Sequence, residues 1–164
     1  MTLNPLAHLD PIGTLALLFS PFGWAKPVPV NPMNFRHPRK DMAWVAVAGP
    51  LTNLFLAALA AMGMRLAARV AIGPNLWWLM LPLFSLLRVS FDINVMLALF
   101  NMLPIPPLDG GRIVVGILPS RKALAFSRLE PYGFFILVAL ILTGVAGKLI
   151  VPGFLLVHYL LLGA

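Results

Sequence analysis

The chain has 164 residues, of which 60% are hydrophobic and only 17 are charged, twelve basic and five acidic. Soluble domains carry roughly 25% charged residues, so a chain with 10% charged residues and a mean hydropathy of +0.94 is not an ordinary soluble domain. Cysteine is absent from the sequence, which excludes disulfides, thiolate nucleophiles and thiolate metal ligands. The composition therefore predicts a protein that resides in a lipid bilayer.

The N-terminal region, residues 1–41, is rich in proline and poor in helical periodicity. The stretch KPVPVNP, 26–32, cannot be helical, because each proline lacks an N–H and biases the residue before it to extended backbone. Lipid tolerates irregular backbone only where protein or water satisfies it. We therefore predict an extended loop or edge strand, at the membrane surface or re-entrant against the helices.

A long apolar core helix is predicted next, over 42–71. Residues 42–64 contain no charged side chain, and they exceed the about 20 helical residues that cross a bilayer. Small residues such as Ala57 and Ala61 permit close packing against another helix. Pro50, in the sequence GPLTN, is expected to kink this helix.

Two further hydrophobic regions complete the predicted fold. Over 76–108, Arg88 and Asp92 lie four residues apart on one helical face and can pair, so we predict a broken helix that ends in the sequence NMLPIPPLDGG. Residues 131–162 predict a terminal hydrophobic hairpin, or a long helix broken at 152–153. The predicted fold class is an all-α polytopic membrane protein, one membrane domain with about three to five transmembrane or re-entrant helices.

The basic residues gather in loops rather than on one helical face. Eight of the twelve form two groups, one before the helix predicted over 42–71 and one after residue 108. If two crossings separate these loops, both lie on one side of the membrane, which the positive-inside rule makes cytoplasmic. The charge thus indicates topology in a lipid bilayer and not nucleic-acid binding, which needs a basic patch on one face. The two groups are Lys26, Arg36, Arg39 and Lys40, and Arg112, Arg121, Lys122 and Arg128.

Asp109 is the leading candidate for chemistry. Prolines that end the preceding helix lie before it, and two glycines that allow close backbone approach follow it. This pattern predicts a carboxylate held on rigid, irregular backbone near the membrane boundary, and such a carboxylate can bind zinc. The tripeptide Leu-Asp-Gly alone is more typical of a turn aspartate that hydrogen-bonds its own loop.

The longer motif NMLPIPPLDGG, 101–111, resembles the C-terminal signature of the site-2 protease family of intramembrane zinc metalloproteases. Three other stretches are similar to the bacterial branch of that family: TLNPLAHLDPIGT (2–14), FGWAKPVPVNP (22–32) and AGPLTN (48–53). The resemblance implies that Asp109 is a ligand of a Zn²⁺ cofactor. It also implies that the partner is a transmembrane protein substrate, cleaved in the bacterial cytoplasmic membrane.

Three further residues are candidates for the substrate cleft. Asn53, by the resemblance, contacts the substrate or shapes the cleft near the zinc, and a helix-packing amide is the alternative. Asn101 shares a helical face with Asn94, where the two either line a cavity or hydrogen-bond between helices. Gly110 follows Asp109 directly, at the expected point of close backbone approach.

The zinc-binding helix H-E-x-x-H of the family does not occur in this sequence. The histidines are His8, His37 and His158, no two of them four apart, and the only glutamate is Glu130. In family order that helix precedes the TLNP segment, where this sequence has only Met1. We therefore expect this chain to be the C-terminal portion of such a protease and to be catalytically incomplete by itself. A late start codon, a truncated gene or a genuinely short form would each produce such a sequence. The alternative is a non-catalytic membrane binding protein, a pseudoprotease; the sequence specifies neither a particular substrate nor an oligomeric state.

Overall fold

A computed structural model of the chain describes residues 34–70 and 77–163. Contacts divide the chain into two units, Met1–Phe35 and Arg36–Ala164, and the secondary structure reported below belongs to the second. Of the proline-rich region predicted over 1–41, residues 1–33 lie outside the described residues, including the stretch KPVPVNP. Its extended conformation therefore stays a prediction.

Helices make up the second unit, and the described residues contain no strand. This confirms the all-α class predicted from the sequence. In chain order the elements are α1 (Pro38–Val70), α2 (Trp77–Asn101), α3 (Asp109–Ile117), α4 (Ser120–Ser127), a 3₁₀ turn (Glu130–Tyr132), α5 (Gly133–Leu142) and α6 (Val145–Leu162).

The first long helix, α1, starts at Pro38 rather than near residue 42 and is helical through Pro50. Proline is favoured in a first helical turn, because its missing N–H would have no partner there. The carboxylate of Asp41, in the same turn, accepts a hydrogen bond of 3.0 Å from the backbone N–H of His37. These two residues explain why the helix begins before the apolar run does.

The second long helix, α2, is one uninterrupted helix over Trp77–Asn101, in place of the broken helix predicted over 76–108. Arg88 Nε donates to Asp92 Oδ2 at 3.0 Å, so two opposite charges offset each other within a single helical turn. The helix ends at Asn101, ahead of Pro104, as expected because the residue before a proline disfavours helical backbone.

The core lies where α1, α2 and α6 meet. A Cβ added to Gly63 on α1 would lie 3.2 Å from Leu87 Cδ2 on α2, so these helices approach closely, as the small residues of α1 predicted. On α6, Gly153 faces Leu99, and the ring of His158 lies 5.8 Å from that of Phe91. Helix α6 therefore runs antiparallel to α2. The buried cluster consists of Ala57, Ala60, Ala61, Met64, Phe91 and Val95.

The C-terminal hydrophobic region forms two helices, α5 and α6. The chain breaks between them at Gly144, whose φ is +72°, and α6 then continues through Pro152. The break thus falls before 152–153, the position considered as the alternative in the sequence analysis.

Four segments of the described chain are long and apolar enough to cross a membrane. They contain 32, 24, 23 and 18 residues, and a crossing takes about 17 to 25. Large apolar side chains also cover the outside of the helices, among them Leu142, which is 81% exposed. Together these features identify a membrane protein. The segments are Pro38–Arg69, Trp78–Asn101, Ser120–Leu142 and Val145–Leu162.

Candidate metal-ligand site

Asp109 is the first residue of helix α3. The sequence had predicted irregular backbone at this position, and the difference has a local cause. Turns and bends that contain the prolines of 104–107 follow α2, and Leu108, with extended backbone, is the last residue before α3. A helix N-terminus favours a negative charge, because its free N–H groups point outward. The fold thus presents the carboxylate at a helix end.

The glycine after Asp109 allows α3 to pack directly on the preceding turns. A Cβ on Gly110 would lie 2.6 Å from the carbonyl carbon of Met102 and also against the carbonyl oxygens of Met102 and Leu103. Backbone atoms cannot rotate aside as a side-chain end can, so only glycine fits here. Gly110 is buried, and its close approach to the preceding turns fixes the position of α3.

The carboxylate of Asp109 lies against α1 at Gly49. A Cβ added to Gly49 would be 3.1 Å from Asp109 Oδ2, so the glycine leaves the space that the carboxylate oxygen occupies. Gly49 is exposed and Asp109 is half-buried, so the carboxylate oxygen lies near the surface of the described residues, beside Gly49. The fold brings together two motifs that are 60 residues apart in the sequence, AGPLTN and NMLPIPPLDGG.

Burial and a neighbouring charge act on Asp109 in opposite directions. Burial raises the pKa of the Asp109 carboxyl above its ordinary value, and the Arg112 guanidinium lowers it. Asp109 lies outside the four candidate membrane spans. A partly desolvated carboxylate at a fixed position can accept hydrogen bonds from a substrate or bind a cation.

The other residues predicted for the cleft occupy different positions around Asp109. Asn53 is half-buried on α1, four residues beyond Gly49 and so on the same helical face. Asn101 is half-buried at the last position of α2. Asn94 donates a hydrogen bond of 2.8 Å to the Ser90 carbonyl of its own helix. The cleft roles of Asn53, Asn101 and Gly110 stay predictions.

The described residues do not by themselves fit a complete zinc site. Within 34–70 and 77–163, no three His, Cys, Asp or Glu side chains are placed together to hold a metal ion, and a zinc site takes about three or four protein ligands. His158 lies on α6 against two phenylalanine rings. His37 precedes Gly49 by twelve residues, about 18 Å along a helix, and His8 falls outside the described residues. Asp109 is therefore a single candidate ligand.

A contact that the sequence did not predict joins α1 to the end of α3. Arg39 donates to Ser120 Oγ and to the Val115 carbonyl at 2.9 Å each, and also to the Leu118 carbonyl. A guanidinium satisfies helix C-terminal carbonyls well, because it offers several N–H groups in one plane. The sequence showed Arg39 only as a member of a basic loop. Nothing in the spacing of these residues pointed to the pairing.

Comparison with known proteins identifies the family of this chain. The family model for peptidase family M50 matches residues 70–144, which include Asp109. A Bacillus subtilis protein named "Putative zinc metalloprotease YwhC" is 36% identical over 160 residues, which cover 93% of this chain and 69% of that protein. A Methanocaldococcus jannaschii protein named "Putative zinc metalloprotease MJ0611" is 41% identical over 70 residues, 43% of this chain and 31% of that protein. No solved structure matches significantly. On its similarity to the Bacillus protein over most of both chains, this chain belongs to peptidase family M50, the zinc metalloproteases to which the site-2 proteases belong.

Proposed function

We propose that this chain is the part of an intramembrane zinc metallopeptidase that supplies the carboxylate ligand Asp109 and the adjoining substrate cleft. The observation that carries the proposal is the 3.1 Å between Asp109 Oδ2 and the Cβ position of Gly49. That contact joins the sequence NMLPIPPLDGG, which contains Asp109, to the sequence AGPLTN, which contains Gly49. Asp109 would be one ligand of a zinc ion, and such an ion would supply the activation of a water molecule for attack on a peptide bond.

The cleft suits a membrane-embedded protein segment. The Asp109 carboxylate lies against the exposed Gly49, and Asn53 lies one helical turn further along the same face of α1. An amide can donate to or accept from the backbone of an unwound substrate segment, which in lipid must satisfy its own N–H and C=O groups. Asn53 is therefore our candidate for holding the substrate backbone beside the carboxylate.

The charge distribution supports a location in a bacterial cytoplasmic membrane, with the start of α1 on the cytoplasmic side. Arg39 contacts Val115, Leu118 and Ser120, so the basic residues at the start of α1 lie at the same end of the structure as those around α4. A cytoplasmic side rich in Lys and Arg is what the positive-inside rule describes.

The test supplies the zinc ligands of the H-E-x-x-H motif on a separate polypeptide. The chain is co-reconstituted in liposomes with a family membrane segment that carries H-E-x-x-H, together with a fusion protein that contains one transmembrane segment. We expect about one zinc per complex by elemental analysis, and cleavage of the fusion within its transmembrane segment. Both should be lost in Asp109→Asn and retained in Glu130→Gln, which neutralises an exposed carboxylate elsewhere.

Two outcomes would contradict the proposal. Zinc binding and cleavage that persist in Asp109→Asn would show that Asp109 is not a ligand. Binding of the transmembrane segment without zinc uptake or cleavage would support the alternative, a non-catalytic membrane binding protein that uses the same surface beside Gly49 and Asp109.

A further inference from the structure

A cavity lies at the opposite end of α3 from Asp109. Its volume is about 530 Å³, and it is lined by residues 37–40 at the start of α1 and by residues 116–120 between α3 and α4. This volume falls in the range of small-molecule sites, about 300 to 1,000 Å³. Asp109 and Gly116 are seven residues apart on α3, about 10 Å along a helix. The cavity is therefore separate from the candidate metal-ligand site.

We propose that this cavity binds the phosphate-bearing headgroup of an anionic phospholipid. Three of its lining residues are His37, Arg39 and Lys40, and none of the described residues that line it is acidic. The nearest carboxylate in sequence, Asp41, accepts a hydrogen bond from the His37 backbone and does not line the cavity. The cavity thus offers positive charge to a negative ligand.

The basic residues have different roles in the cavity. The Arg39 guanidinium is held by Ser120 Oγ and by two carbonyls at the end of α3, so it forms a fixed wall. The Lys40 side chain is exposed and makes no hydrogen bond or ion pair in the described part of the chain. Its ammonium group is available to a phosphate, which lysine binds as a point charge.

The position of the cavity favours a lipid over a soluble anion. It lies at the first residues of the candidate span Pro38–Arg69. Trp44, one turn after Lys40 on the same face of α1, is 74% exposed, and exposed tryptophan is typical of the membrane–water interface. Trp44 lies beside the cavity and does not line it, whereas Ile117 is part of the cavity wall and is 76% exposed. A phospholipid offers a phosphate to the cations and glycerol and acyl carbons to these apolar groups.

The test measures lipid binding by the full chain in neutral detergent. Native mass spectrometry follows titrations with phosphatidylglycerol, with phosphatidylcholine and with soluble glycerol phosphate. We expect phosphatidylglycerol to bind with the highest affinity. Lys40→Gln should weaken that binding about fivefold, the effect of one basic residue near an anionic lipid surface, and Lys40→Arg should retain it. Arg69→Gln, at the far end of α1, is the matched control and should leave binding unchanged.

Three results would overturn the proposal. Equal weakening by Lys40→Gln and Arg69→Gln would mean that overall charge, not this cavity, attracts the lipid. Equal binding of phosphatidylcholine would mean that the anionic headgroup is not recognised. Binding of glycerol phosphate as tight as that of phosphatidylglycerol would mean that the site takes a soluble anion.

Discussion

Replacing Gly49 by alanine tests whether the space beside Gly49 on α1 sets the position of the Asp109 carboxylate. The new Cβ would lie 3.1 Å from Asp109 Oδ2, about 0.3 Å short of ordinary contact. Metal–ligand distances tolerate shifts of about 0.2 Å, so the displaced oxygen would bind zinc less well. A misplacement of about 1 Å costs about 10²-fold in rate. We therefore expect cleavage by the reconstituted complex to fall ~3–10-fold, with a parallel loss of zinc affinity.

Stability should change in the opposite direction. Alanine inside a helix is about 1 kcal/mol more favourable than glycine, so Gly49→Ala should unfold at the same temperature as the unmodified chain or at a higher one. Gly63→Ala is the matched control on the same helix, because its Cβ would meet the flexible end of Leu87 at 3.2 Å. Thermal unfolding, zinc titration and cleavage of the transmembrane fusion are measured for both variants. Only Gly49→Ala should lose zinc affinity.

Two results would refute this reasoning. If Gly49→Ala and Gly63→Ala bind zinc and cleave equally well, Asp109 does not depend on the space at Gly49. If Gly49→Ala unfolds well below Gly63→Ala, the loss of activity reflects general destabilisation and not a displaced ligand.

Three further sets of substitutions test the packing. Gly110→Ala places a Cβ against backbone of the preceding turns, and we expect it to lower the unfolding free energy by about 1–3 kcal/mol. The control Gly147→Ala, with nothing within 4 Å of its Cβ, should not lower the unfolding free energy. Equal effects of the two substitutions would contradict the close approach at Gly110. Phe91→Ala removes a fully buried ring and should lose about 3–5 kcal/mol in denaturant unfolding in micelles; a loss below about 1 kcal/mol would disprove that packing. Arg88→Leu removes the partner of Asp92 and should lower the unfolding free energy by about 2–3 kcal/mol. Adding Asp92→Leu to the same chain should restore that free energy if the two charges pair.

Much of the helical architecture was predictable from local properties of the chain. The charge-free run 42–64 identified α1, because the length and apolarity of one segment decide whether it can span lipid. The prolines after Asn101 likewise identified the end of α2, since proline restricts the residue before it. For the C-terminal region the sequence left two alternatives, a hairpin and a long helix broken at 152–153, because both Gly144 and 152–153 carry residues that can end a helix. Only packing shows that α6 continues through Pro152.

The sequence by itself determined that this is an all-α membrane protein and which carboxylate to examine. Apolar length, charge placement and a family motif are all properties of consecutive residues, so they can be read along the chain. The tertiary structure decided that Asp109 begins a helix and that its Oδ2 meets α1 at Gly49. It also decided that Arg39 contacts the end of α3. Contacts between residues 60 or more positions apart depend on how helices pack, and no local pattern encodes that packing.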